Sequence, residues 1–278
     1  MNQRFARRYK GRRGPKIDTL KKGVYILPNF LTSLSLFFGF YSIVTTMQGD
    51  FLKASWAIII AALFDGLDGR IARMTHTTTR FGVEYDSLSD LVAFGVAPAA
   101  LAYGWVLNQY GRWGWVAAFL YVACGAIRLA RFNIQTTTVK GNFFTGLPIP
   151  AAAGMVTATA IFCFHFDIAD KKLLSIFFIL TIYILAFLMV STIRFQSFKQ
   201  LDLKSRQPFN SVVLAILLIY IVASEPQVML FVMTLTYMLS GPITYLNYLI
   251  KKKKMKEKEQ EFKIIHTEDK DAIEKTIP

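Results

Sequence analysis

The chain has 278 residues, 54% of them hydrophobic and only 18% charged, and a net charge of +14. Long uncharged runs in so apolar a sequence exclude an ordinary soluble domain and define an all-α, polytopic integral membrane bundle. The basic residues gather in the tails and in alternate loops rather than over one surface, which points to membrane topology and anionic headgroups and excludes nucleic acid as a partner.

Residues 1–23 carry nine Lys or Arg and form a basic segment expected on the cytosolic membrane face. The stretch is basic and polar and the first apolar run is already of span length, so no cleavable signal peptide is expected. That run, Gly23 to Gly49, contains Pro28-Asn29 and places Asn29, Thr32 and Leu36 on one helical stripe. Asn29 and Thr32 either hydrogen-bond a neighbouring helix or line a polar cavity.

A second span covers about 51–73 and is uncharged only from Ala54 to Phe64. Asp65 and Asp68 then appear three residues apart, with Gly69, Ala72 and Arg73 following at helical spacing. After a Thr-rich turn, Gly82, Asp86 and Asp90 fall at i, i+4 and i+8 on the next helix, whose span runs from about Glu84 to Asn108. Two adjacent helices thus aim four carboxylates at one point. Such a cluster beside lipid is costly unless something positive neutralises it. Hard divalent cations accept several carboxylate oxygens, and a pair of them bridges phosphates, so the pattern reads as a two-metal phosphoryl-transfer site. At 1.5 Å per residue Asp65 stands roughly 12 Å inward of Arg73, within one leaflet and at the depth of a lipid diphosphate. An ion or metal transporter would also use an acidic cluster, but would hold it at the midplane between broken helices.

A fourth span, about 113–132, ends in R-L-A-R-F-N. Arg128 and Arg131 there either snorkel to headgroups or bind an anionic group beside the aspartates. Gly146 to Gly154, G-L-P-I-P-A-A-A-G, suits a helix start packed closely in lipid. Further spans are expected at about 146–166, 173–194, 209–224 and 226–250, making about eight. Cys124 and Cys163 lie in apolar runs and read as small hydrophobes, with no disulfide and no metal. His76 and His165 stand apart from any partner at ligand spacing. Residues 251–278 form a charged, mixed-sign tail, helical at first and then disordered.

The motif D-x2-D-G-x2-A-R-x8-G-x3-D-x3-D, with all eight fixed positions present between Asp65 and Asp90, resembles the signature of the CDP-alcohol phosphotransferase family. P-N-x-x-T near the start of the first span also resembles that family's pattern, R-L-A-R-F-N and G-L-P-I-P-A-A-A-G resemble the branch of the family that uses serine, and together with the signature the likeness covers about residues 26–155. It implies transfer of the phosphatidyl group of CDP-diacylglycerol to L-serine, giving phosphatidylserine and CMP. Two divalent cations, Mg2+ or Mn2+, would be held by Asp65, Asp68, Asp86 and Asp90, with Asp90 also the general base for the serine hydroxyl. The CDP-lipid would be held by Asn29, Thr32, Gly69, Ala72, Arg73 and Gly82, the small residues admitting the nucleotide and Arg73 meeting phosphate oxygens. Arg128 and Arg131 would take the acceptor. The signature fixes the donor and not the alcohol, so glycerol 3-phosphate and inositol phosphate stay open as acceptors. The resemblance also implies a homodimer. The domain layout expected is the basic segment 1–23, a transmembrane domain 24–250 and the charged tail 251–278.

All but four of the 32 Lys and Arg lie in the tails or in the loops after spans two, four and six. The four exceptions are Lys53, Arg112, Lys171 and Lys172. This asymmetry puts both termini and the aspartates on the cytosolic side of a plasma (inner) membrane. Impermeant thiol reagents applied to intact cells should therefore label Asn108→Cys or Asp170→Cys and miss Thr77→Cys; labelling at position 77 would overturn this orientation.

Overall fold

A computed structural model of the chain describes residues 16–75, 79–136, 144–168, 171–195 and 224–274. The helices are α1 (Lys16–Met47), α2 (Phe51–Met74), α3 (Arg80–Asp90), α4 (Ala97–Trp105), α5 (Arg112–Thr136), α6 (Ile149–His165), α7 (Lys171–Val190) and α8 (Pro226–Glu274). A π-helical turn, Leu91–Val96, joins α3 to α4, and a 3-10 turn, Leu107–Tyr110, precedes α5. Two-residue strands β1 (Phe144–Thr145) and β2 (Arg194–Phe195) pair antiparallel, Phe144 opposite Phe195.

The protein is an all-α membrane bundle. Among the described residues four stretches are long and apolar enough to cross a membrane: Leu27–Met47, Arg80–Trp105, Arg112–Ile134 and Pro226–Met255. Helix α2 is 24 residues long but carries Asp65, Asp68, Arg70 and Arg73. Ile149–His165 and Leu174–Val190 are shorter apolar helices. Seven of the expected spans thus correspond to described helices, and residues 209–223 of the remaining one lie outside the described residues, as does His76.

Three boundaries differ from the sequence expectation. Helix α1 begins at Lys16, inside the basic segment, because nothing between Lys16 and Gly23 breaks a helix. The third span begins at Arg80 rather than Glu84, because Thr79 caps α3 by accepting the Gly82 N–H at 3.0 Å. Helix α8 runs on through the lysine-rich stretch to Glu274, where Lys, Glu and Gln are strong helix formers. His165 is also not solitary: its Nε2 lies 3.3 Å from a carboxylate oxygen of Glu225, joining the end of α6 to the start of α8.

Close approach of small residues holds the bundle, as it must where lipid gives helices no hydrophobic reason to associate. Ala54, Ala57 and Ala61 on α2, Ala93 and Ala97 around the π turn, and Ala152, Ala153 and Ala160 on α6 are all buried. Helix α6 is the central post, with 11 of its 17 residues buried. Where α1 crosses the π turn, a Cβ on Gly39 would lie 2.6 Å from Ala93 Cα, so only glycine permits the crossing. Large side chains such as Phe37, Phe40, Trp113, Phe119, Leu180 and Phe187 are exposed and face the lipid. Helix α2 starts at Asp50, whose carboxylate accepts the Lys53 N–H at 3.1 Å and pairs with the Lys53 ammonium at 2.6 Å. The hydrogen bond from Lys53 holds that exposed carboxyl below the usual carboxylate range.

The π turn has a visible cause. Pro98 opens α4 and has no N–H, so the Phe94 carbonyl loses the donor that an α-helix would supply. Tyr121 of α5, fully buried, donates its hydroxyl to that carbonyl at 3.1 Å. Tyr121→Phe should leave a buried carbonyl unpaired and lower unfolding stability by about 1–3 kcal/mol, read as a depressed Tm in detergent.

Candidate active site

The C-terminal half of α2 and the helix α3 that follows it bring their aspartates together as the sequence spacing requires. One ligating oxygen each of Asp65, Asp68 and Asp86 lies within 4.8 Å of the others. Asp68 is 4% exposed; Asp65 and Asp86 are half-buried. Asp90, one turn beyond Asp86, makes a carboxyl–carboxyl hydrogen bond with Asp65. Its Oδ1 is buried without a hydrogen-bond partner. Among the described residues none of the four is in an ion pair. Two carboxylates can touch only with a proton or a cation between them, and all four offer hard oxygen donors. The donor set and the orphaned Asp90 oxygen therefore suit divalent cations, of the hard, oxygen-preferring kind.

Helix α1 braces the cluster. The Thr32 hydroxyl donates to Asp68 Oδ2 at 2.6 Å, the short distance of a charge-assisted bond. Ser89 Oγ donates to the Thr32 carbonyl at 3.1 Å, so Thr32 ties α1 to both helices that carry aspartates. Asn29 stands by the first turn of α3: a Cβ on Gly82 would fall 3.4 Å from Asn29 Oδ1 and 3.1 Å from Thr79 Oγ1. Among the described residues, and apart from the helix's own backbone, the only atom within 4 Å of a Cβ added at Gly69 would be Arg73 Nη2, at 3.9 Å, and at Gly66 there is none. The half-buried Gly69 and Ala72 and the exposed Arg73 thus border an open face of α2 beside the cluster.

The two arginines of α5 part company. Arg131 donates from Nη1 to the Val190 carbonyl at 3.1 Å and from Nη2 to the Ser191 carbonyl at 3.2 Å, fastening the end of α7. Arg128 is 7% exposed, and its Nε has no hydrogen-bond partner. The charges whose fields reach it include Asp90 and Arg131. A buried guanidinium with unused donors beside an aspartate cluster is a ready anion site.

Sequence reasoning did not single out the contacts that set the rotation of α3. Asn133, the last residue of R-L-A-R-F-N, donates from Nδ2 to Ser87 Oγ at 3.0 Å. Ser33 Oγ and Tyr85 OH lie 2.8 Å apart, bridging α1 and α3. Ser87 and Ser89 flank the aspartates in Y-D-S-L-S-D, and their alternation with Asp86 and Asp90 was the available signal.

Residues 25–188 match the model of the CDP-alcohol phosphatidyltransferase family. The match covers more than half of the chain, and the chain belongs to that family. It is similar to the CDP-diacylglycerol–serine O-phosphatidyltransferase of Helicobacter pylori, 39% identical over 230 residues, which are 82% of this chain and 94% of that protein. The enzymes of the same name from Mycobacterium leprae and Methanocaldococcus jannaschii are 43% and 46% identical over shorter stretches. These cover 46% of this chain and 44% of the first, and 40% of this chain and 52% of the second.

Thr32 orients Asp68 through its hydroxyl. Thr32→Val keeps the shape and removes the donor, so it is expected to weaken Mn2+ binding about ten- to a hundredfold in calorimetric titration, as loss of a ligand's supporting hydrogen bond generally does.

Proposed function

We propose that the protein transfers the phosphatidyl group of CDP-diacylglycerol to the hydroxyl of L-serine, releasing CMP. The observation that carries the choice of acceptor is Arg128, a buried cation with free donors on the Asp90 side of the cluster. The names of its relatives support the same choice.

Asp65, Asp68, Asp86 and Asp90 would hold divalent cations, Mg2+ or Mn2+. When bound, these supply charge neutralisation for the diphosphate and for the leaving CMP. The chain does the rest. The open face of α2 at Gly69 and Ala72 admits the nucleotide against the helix backbone, and Arg73 reaches its phosphate oxygens. Asn29 lines the same end from α1. Arg128 receives the serine carboxylate as a planar fork, which orients the hydroxyl towards the cluster. Asp90 takes the hydroxyl proton as the serine oxygen bonds to the phosphorus that bears diacylglycerol. The bond from that phosphorus to the bridging oxygen breaks, and CMP leaves with the electron pair. Arg131, fixed to two carbonyls, supports the wall behind Arg128. The loop charges support a cytosolic face for this chemistry, where soluble serine would meet membrane-bound CDP-lipid.

Purified protein given each alcohol separately should release CMP from CDP-diacylglycerol with serine and not with glycerol 3-phosphate or inositol phosphate. Chelation should abolish turnover, and Asp90→Asn should lower kcat by about 100- to 10,000-fold through loss of the base. Turnover with glycerol 3-phosphate and none with serine would overturn the acceptor and leave the family untouched.

A further inference from the structure

Helix α3 carries two of the four aspartates yet buries little of itself. Of its eleven residues only Ser89 is buried, and Phe81, Val83 and Leu88 are exposed. Apolar packing therefore cannot fix how far α3 is rolled about its axis, and polar contacts must. On one flank they go to α1: Ser89 Oγ donates to the Thr32 carbonyl at 3.1 Å, and Tyr85 OH lies 2.8 Å from Ser33 Oγ. Contacts to a single neighbour form a hinge line, about which a helix can still swing. On the other flank stands Ser87. At 100° per residue, Ser87 and Ser89 lie about 80° to either side of the direction shared by Asp86 and Asp90. Ser87 Oγ donates its single proton to the Val83 carbonyl at 3.0 Å, so towards α5 it can only accept. Asn133 supplies the donor, its Nδ2 at 3.0 Å, with Oδ1 further off at 3.3 Å. The end of α5 that bears Asn133 is itself a fixed point, because Arg131, two residues earlier, is fastened to the Val190 and Ser191 carbonyls.

We infer that Asn133 is a positioning residue for the cation site: through Ser87 it stops α3 from rolling on α1 and so keeps Asp86 and Asp90 turned towards Asp65 and Asp68. The inference rests on the reading of the four aspartates as ligands of divalent cations. The carboxylates repel one another until a cation lies between them, and that repulsion would turn α3 away from α2. A small roll is enough to matter. With side-chain oxygens about 5 Å from the helix axis, a roll of about 15° moves each carboxylate by about 1.3 Å. Ligand distances in a metal site tolerate only about 0.2 Å. Contacts on both flanks hold the aspartate pair between α1 and α5, where contacts to α1 alone would not. Arg128 lies on α5 as well, five residues before Asn133, so the same bond keeps the acceptor side and the cation side in one register.

The test compares Ser87→Ala, Ser87→Thr, Asn133→Leu and the double variant Ser87→Ala with Asn133→Leu, each in the full-length protein in detergent. Mn2+ affinity is read by calorimetric titration, turnover by labelled serine incorporation, and folding by Tm. Ser87→Ala and Asn133→Leu should each weaken Mn2+ binding about tenfold, as loss of a contact that orients a ligand implies, and turnover should fall with it. The double variant should bind no more weakly than either single one, since all three lack the same bond. Ser87→Thr keeps the hydroxyl and should bind Mn2+ within twofold of wild type. Affinity within twofold of wild type in Ser87→Ala or Asn133→Leu overturns the inference, whatever happens to Tm, and assigns the bond to stability alone. A double variant in which the two losses multiply overturns it as well, as does a Ser87→Thr protein that binds as weakly as Ser87→Ala. Wild-type protein that binds no Mn2+ overturns the reading of the aspartate cluster, and the inference with it.

Discussion

Like charges packed together away from bulk water are the constraint on which this molecule is built. Asp65, Asp68 and Asp86 bring oxygens within 4.8 Å of one another, and Asp90 touches Asp65. In a low-dielectric setting that arrangement is unfavourable by itself and becomes favourable only with positive charge between the carboxylates. The fold therefore has to hold the groups against their own repulsion. It does so by tying α2 and α3 to α1, through the bond from Thr32 to Asp68 and the bond from Ser89 to the Thr32 carbonyl. The tight crossing of Gly39 on Ala93 keeps α1 from drifting away from the same end of the bundle.

The same constraint explains how the work is divided among the arginines. A cation close to the aspartates could pair with them and neutralise the cluster, leaving no place for anything else. Arg73 stays exposed at the rim, and Arg131 is held by carbonyls rather than carboxylates. Arg128 is near enough to act on Asp90 but makes no ion pair with it. The site thus retains its acidity and keeps its buried cation available.

Much of this was legible in the sequence. The aspartate spacing alone places four carboxylates on facing helices, because i, i+3 and i+4 relations are properties of any α-helix. Uncharged runs located the spans because hydrocarbon tolerates little else. What could not be read were contacts that depend on how helices cross. Arg128 and Arg131 look equivalent in R-L-A-R-F-N, and only the position of the carbonyls at the end of α7 separates the guanidinium with an unpartnered Nε from the one that fastens a helix. The sequence left Thr32 either bonded to a neighbouring helix or lining a cavity, and it could not name the partner, Asp68, which is 36 positions away. The π turn in the third span needs Tyr121 from another helix to satisfy the Phe94 carbonyl, and no local pattern contains that.

The π turn at Leu91–Val96 acts on everything that follows it as a change of phase. One residue added to a helix rotates all later side chains by about 100° about its axis. Helix α3 must turn Asp86 and Asp90 towards α2 and Ser89 towards α1, while α4 must turn Ala97, Leu101 and Ala102 into the core. A continuous α-helix would have to satisfy both demands with one fixed periodicity. The widened turn uncouples them, so the polar half of this span can be set by chemistry and the apolar half by packing, each without compromising the other.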